Sequence, residues 1–369
     1  MQYLRRISAS PEACFYAIEG DYQTAVGRWI VSTPQSRDVC NQPELLGCRY
    51  TTALRQAVTA ALAQAPFRQI VKDHPESRVC VLNFLRGGLN FDLRNALHEA
   101  YGLNAHTSAF MSSQRCRVDG RWQVREDMYR KLHIPRGALI LTGDVVATGV
   151  TVANGLQVLL EHLIEIGSSV QRLIFFTIGC HKLEKRLAEF DARFRQAFPD
   201  YEGSHAVFLE GKFRLVDSRT GLRIGLPGTD LIRRDCLLAP EFEASQYDRV
   251  SNPLERCAIY DAGSRAYDVP SYAADVLEYW HQVAELAAQG LTLSEALRER
   301  WPEPDHASRA EFRERRRQLW QGIDDAQLNA LYDRHLELWS ESFRTRAASS
   351  EELAALCAER IHTLGQFQA

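Results

Sequence analysis

The sequence predicts an α/β protein with a mainly parallel sheet flanked by helices. Three observations carry that expectation. The first is a set of apolar, β-rich runs: "SRVCVLNFL" (77–85), "GALILTGDVV" (137–146) and "VQRLIFFTIG" (170–179). The second is that each run stops at small or polar residues and gives way to a helical pattern. The third is a change of composition near residue 270, beyond which helical periodicity dominates. Strands that alternate with helices predict βαβ units and a parallel sheet.

The elements follow in order. "RYTTALRQAVTAALAQA" (49–65) reads as an alanine-rich amphipathic helix. "FDLRNALHEAYG" (91–102), "VANGLQVLLEHLIEIG" (152–167) and "KLEKRLAEFDARFRQAF" (182–198) read as the helices after the three strands. Residues 205–228 look different. They read as short antiparallel strands, with Thr220-Gly221 turning one of them. Beyond 270, Val276, Tyr279, Trp280, Val283 and Ala287 share one helix face. Capping signatures recur at Thr292/Glu295, Ser308/Glu311 and Ser349/Glu352. The chain therefore divides into a sheet domain, 1–270, and a helical C-terminal extension, 271–369, which packs on that domain or on a partner.

Composition removes several function classes. A net charge of −3 gives no reason to expect a polyanion or nucleic-acid binder. "RERRRQ" (313–318) is read as a solvated helix face. The nine cysteines form no C-x-x-C pair and no zinc-spaced cluster, which suits a reducing, cytoplasmic setting. No apolar run reaches membrane-spanning length, and the first twenty residues contain no signal-like core.

The stretch 143–151 carries the chemistry. Parallel sheets bind ligands beyond the carboxyl ends of their strands. Here Val146, Ala147, Thr148, Gly149, Val150 and Thr151 form a small-residue loop that opens a helix. The first helical N–H groups lack internal partners and sit at the positive end of the dipole. A phosphate monoester is the natural guest. The loop has no Lys, so it is not a Walker A loop, and no G-x-G-x-x-G is present. The plain alternative is a strand–loop–helix corner with no ligand.

The segment resembles the ribose-phosphate loop of type I phosphoribosyltransferases, and the chain is closest to the uracil phosphoribosyltransferase-like members. Three further segments carry the likeness. "VLNFLRGGLNF" (81–91) resembles their pyrophosphate loop, with Arg86, Gly87 and Gly88 at its turn. "SSQRCRVDGRWQVREDMYRKLHIP" (112–135) resembles their small antiparallel hood, and Arg115 or Arg117 takes the place of the hood arginine. "CAIYDAGSRAYDVP" (257–270) resembles the closing base-pocket motif at Asp261, Ala262, Gly263 and Arg265.

The resemblance implies a transferase acting on phosphoribosyl pyrophosphate (PRPP) and a pyrimidine-like or related heterocyclic base, with Mg²⁺, as a homodimer. Asp144 would orient the ribose hydroxyls and touch Mg²⁺. The departures are informative. Family members often carry two acids before the phosphate loop, whereas here Gly143 precedes Asp144. That gap motivates the alternative of a non-catalytic sensor of PRPP or a nucleotide. The altered base motif implies that the base is not uracil itself. Asp230, Asp235, Glu241 and Glu243 are further candidates to face a base pocket.

Overall fold

A computed structural model describes residues 1–20, 24–112, 114–118, 121–126, 129–217, 220–225, 230–256, 262–301 and 308–368. The chain opens with strands β1 (Gln2–Ala9), β2 (Cys14–Gly20) and β3 (Gly27–Ser32), then helices α1 (Pro34–Asn41), α2 (Gly47–Leu62) and α3 (Ala65–Lys72). The expected alternation follows: β4 (Val79–Leu85), α4 (Leu93–Tyr101) and β5 (Thr107–Ser112), then, past the ribbon below, β9 (Ala138–Gly143), α5 (Val150–Glu165), β10 (Val170–Cys180) and α6 (Lys182–Ala197). Between β5 and β9 lie β6 (Gln114–Val118), β7 (Arg121–Glu126) and the short β8 (Arg130–Lys131). Strands β11 (Gly203–Leu215) and β12 (Leu231–Leu238) complete the sheet domain with the short helices α7 (Pro240–Ser245) and α8 (Ser264–Tyr267).

Six strands run parallel in the order β3-β11-β10-β9-β4-β5. β1 and β2 extend the β3 side as an antiparallel meander. β6 and β7 form a separate antiparallel ribbon beside α5, as the hood reading expects. Strands β4, β9 and β10 are buried almost end to end, as the middle of a parallel sheet covered on both faces requires. Their carboxyl ends deliver residues 86, 144 and 181 to one edge of the sheet.

One sequence expectation needs correction. Residues 205–215 are not one of several short hairpin strands. They belong to a single long strand whose first part pairs in parallel with β10 and β3. At Glu210 the backbone enters the left-handed region, φ 67, and beyond it the strand pairs antiparallel with β12. Thr220-Gly221 lies in the loop between them. β12 itself, "LIRRDCLL", lies within the stretch expected to contribute loop carboxylates.

The C-terminal region contains α9 (Val269–Ala288), α10 (Leu293–Arg300), α11 (Arg309–Leu319), the two-residue strand β13 (Trp320–Gln321), α12 (Asp325–Leu338), α13 (Glu341–Ala347) and α14 (Ser350–Gly365). β13 pairs with β1 and so joins the sheet. All four tail tryptophans, 280, 301, 320 and 339, are buried, which indicates packing within the chain. α9 buries the predicted face, Val276 to Ala287, in a second apolar core shared with α14. The Thr292 capping box forms as read, and Ser308 accepts from the Glu311 amide. Ser349 accepts from the amide of Glu351, one residue before the Glu352 of the sequence pattern. Among the described residues no helix is long and apolar enough to cross a membrane.

The opposite end of the sheet carries a pH-sensitive feature. His205 on β11 lies among Trp29 and Phe67, and its Nδ1 accepts the Trp29 indole N–H at 3.1 Å. Burial, aided by Arg172, pulls its pKa down to about 4. The unfolded chain therefore binds the proton first as pH falls. Stability is full above about pH 6.5 and is lost toward pH 4, by up to ~3 kcal/mol from this group. His205→Asn keeps an acceptor and removes the titration. Urea unfolding at pH 7 and pH 4.5 should give a smaller loss on acidification for the variant than for the wild type.

Candidate functional site

The site is built from three loops at the carboxyl edge of the parallel strands. The first leaves β9. Its residues keep bonding to β10 past the strand's end: the Asp144 amide donates to Phe176 O at 3.1 Å, Val146 N to Ile178 O at 3.0 Å, and Cys180 N to Val146 O at 3.1 Å. The Cys180 Sγ donates to Ala147 O at 3.0 Å, and burial pushes that thiol up to about 11, so it remains a neutral donor. These bonds fix the path of Val146-Ala147. The chain then turns at Gly149, φ 73, and enters α5. Gly149 is the N-cap, no side chain caps the helix, and its first turn holds no acid. The contact from Val150 N to Thr148 Oγ1 is long, 3.4 Å. A sixteen-residue helix thus presents its positive end next to half-exposed Thr148, Val150 and Thr151.

The second loop leaves β4. Arg86 is exposed and begins a 3-10 turn, Gly87–Phe91. Gly87 lies so close to Asp144 that a Cβ there would sit 2.3 Å from Oδ1. Any side chain at 87 would force the Asp144 carboxylate to shift. Asp144 is largely buried, and its Oδ1 accepts the Val145 amide at 2.8 Å. Gly88 is buried behind, with a Cβ position 2.9 Å from Gly143 O.

The third loop is the segment around residue 262. Asn90 Nδ2 donates to Ala262 O at 2.8 Å, and the Gly87 Cβ position lies 3.9 Å from Ala262 Cβ. The structure therefore brings together three segments that are far apart in the chain, those around 144, 87–90 and 262. Gly263 is buried and caps the short α8.

Other sequence candidates fall elsewhere. Arg265 is a framework residue rather than a ligand reader. Its guanidinium donates to the carbonyls of Leu45 (2.9 Å), Val39 (2.9 Å) and Gln42 (2.6 Å), and it stacks 4.4 Å from the Tyr50 ring centre. Asp261 lies outside the described residues. Arg115 and Arg117 lie on β6 with their backbones paired to β7, and their side chains are likewise outside the description.

The four acids of 230–243 are committed away from the cleft. Asp230 pairs with Arg300, Glu243 with Arg316, and exposed Asp235 with Arg214, while Glu241 accepts the Tyr16 hydroxyl at 2.7 Å. Among the described residues no three His, Cys, Asp or Glu side chains form a metal cluster. At this loop Asp144 is the acidic side chain whose carboxylate oxygens are of the type a hard cation takes.

Two contributors escaped sequence reading. Phe91 packs under Gly143: a Cβ at 143 would lie 2.6 Å from the ring. Lys182, on the first turn of α6, has its Cβ 3.3 Å from the Gly149 Cβ position. The basic run His181-Lys182 was visible in the sequence, but its approach to a loop thirty residues earlier follows from the pairing of β9 with β10.

No family model matches the chain, and no curated protein matches it. Solved structures overlap it in part. The AQ2163 protein from Aquifex aeolicus is 17% identical, covering 51% of this chain and 89% of its own, with a TM-score of 0.35. The hypoxanthine-guanine phosphoribosyltransferase from Bacillus anthracis is 21% identical over 35% of this chain and 67% of its own, with a TM-score of 0.24. The purine phosphoribosyltransferase from Pyrococcus horikoshii is 15% identical over 42% and 81%, with a TM-score of 0.23. These overlaps are partial and at low identity, so the functional assignment rests on the chain's own residues.

Proposed function

We propose that the protein is a PRPP-dependent phosphoribosyltransferase acting on a nitrogenous base, pyrimidine-like or a related heterocycle. The observation that carries this reading is the uncapped start of α5 behind Gly149, with Asp144 wedged against Gly87 of the neighbouring loop. The amides and hydroxyls of 147–151 hold the 5-phosphate. Asp144 orients the ribose hydroxyls. Arg86 and the amides of Gly87-Gly88 meet the pyrophosphate, and Arg115 or Arg117 closes over it from the hood. Ala262 and Gly263, beside Gly87 and Asn90, would face the base.

The base nitrogen attacks the anomeric carbon while the bond to pyrophosphate breaks, and the electron pair leaves with pyrophosphate. The protein's part is positioning and charge stabilisation. Mg²⁺ suits this donor set because it keeps water and substrate phosphate oxygens alongside one or two carboxylates. A homodimer is the default by resemblance.

A second reading is a sensor that binds PRPP or a nucleotide without turnover. Phe91 favours it, because its ring fills the space of the second acid and leaves one ribose hydroxyl without a carboxylate partner. Calorimetry with PRPP and Mg²⁺, followed by pyrophosphate release across a panel of bases, separates the two. Tight binding without base-dependent release selects the sensor. For the enzyme, Asp144→Asn should lower turnover about 10- to 100-fold, the worth of a charge-assisted bond. Turnover that survives Asp144→Ala combined with Gly149→Val would remove the assignment.

A further inference from the structure

We infer that Lys182 is an anion-binding residue of the phosphate loop, supplying from α6 the cation that the loop's own sequence lacks. The inference rests on the phosphate-site reading above and deepens it.

The charge balance of the loop poses the problem. Residues 144–151 contribute one carboxylate, two hydroxyls and backbone amides, but no positive side chain. A phosphate dianion placed there meets the Asp144 carboxylate with only partial charges to offset it. Phosphate loops commonly solve this with a lysine used as a point charge.

The geometry offers one from a different element. The Cα–Cβ bond of Lys182 lies against Gly149, with its Cβ 3.3 Å and its carbonyl oxygen 3.7 Å from the Gly149 Cβ position. The approach is not incidental. The bridge of Val146 to Gly179 and the Cys180 contact to Ala147 O lock the loop to the end of β10, two residues before Lys182.

Its neighbours on α6 are engaged otherwise. Glu184 pairs with Lys212, and Arg186, which also comes near Gly149, pairs with Glu189 at 2.7 Å. No acidic side chain pairs with Lys182 among the described residues, and it is half-buried. A four-carbon stem starting at this point is long enough to span the distance to a phosphate seated on the amides of 149–151. The charge arrives from the next βα unit, so the loop itself can stay small enough for close backbone approach.

The test uses the full chain, with inorganic phosphate and then PRPP·Mg²⁺ as probes in calorimetry. Lys182→Ala should weaken both about tenfold or more, and Lys182→Arg should restore most of the loss. The dependence of affinity on salt should flatten in Lys182→Ala. Lys185→Ala, an exposed charge on the same helix, should change neither. Thermal unfolding of all three variants serves as the folding control. Equal affinities for wild type and Lys182→Ala overturn the role of Lys182 while leaving the phosphate site standing. A wild type that binds neither probe overturns the phosphate site, and this inference with it.

Discussion

Asp230→Ala is expected to destabilise the protein by about 3–5 kcal/mol, the cost of removing one partner from a buried ion pair. Asp230 and Arg300 are both fully buried and meet in a two-pronged pair, at 2.5 and 3.1 Å. The guanidinium also lies 5.3 Å from the Tyr279 ring centre. Removing the aspartate takes from a fully buried guanidinium its two-pronged carboxylate partner. Urea unfolding should show a lowered midpoint with little change in slope. Replacing both residues with apolar ones, Asp230→Leu with Arg300→Met, should recover most of the loss. A loss below about 1 kcal/mol for Asp230→Ala would show that the pair is solvated in solution.

The pair belongs to a pattern. Three buried carboxylates of the first 270 residues find their guanidinium in the last hundred: Asp230 with Arg300, Glu243 with Arg316 at 2.5 Å, and Glu255 with Arg360 at 2.6 Å. Arg360 also binds Glu44 at 3.0 Å. Ending the chain near residue 270 would strand all three acids, strip β13 from β1 and open the Trp280 core. The helical region is therefore part of what keeps the sheet domain folded.

The fold class was legible because long apolar strands and periodic helices leave strong local signals. "VCVLNFL", "ALILTG" and "VQRLIFFTIGC" form β4, β9 and β10 within two or three residues of the sequence reading. The edges were not legible. β1 carries Arg5 and Arg6 on a half-exposed surface, and β12 carries Arg233, Arg234 and Asp235, so neither shows a clean apolar run. β11 misled because at Glu210 one of its edges exchanges the parallel β3 for the antiparallel β12, while the other edge stays parallel to β10.

At the site, what lies in one contiguous loop could be read, and what depends on strand order could not. Asp144, Gly87 and Ala262 lie beside one another although their segments are far apart in the chain. Arg265 matched its motif too, yet burial commits it to three carbonyls. Lys182 and Phe91 carry no motif and become visible only when β9, flanked by β4 and β10, sets their neighbours.

Gly143→Asp should therefore fail as a repair of the missing acid. The substitution restores the two-acid pattern in sequence, but its Cβ would lie 2.6–3.0 Å from three atoms of the Phe91 ring. Phe91 is fully buried and closes the 3-10 turn that carries Gly87 and Gly88. Overpacking of this kind costs about 1–3 kcal/mol. A carboxylate driven into an apolar site without a partner adds several more, so the total is expected near 4 kcal/mol or above. Phe91→Ala opens the space at its own cost of about 3–5 kcal/mol. Because the two residues touch, their effects should not add: the double variant should lose less stability than the sum of the two single losses. PRPP affinity then becomes the decisive reading. If the double variant binds PRPP more tightly than Phe91→Ala, the aromatic ring is what denies the sugar its second carboxylate. Wild-type stability in Gly143→Asp alone would refute the packing account of the missing acid.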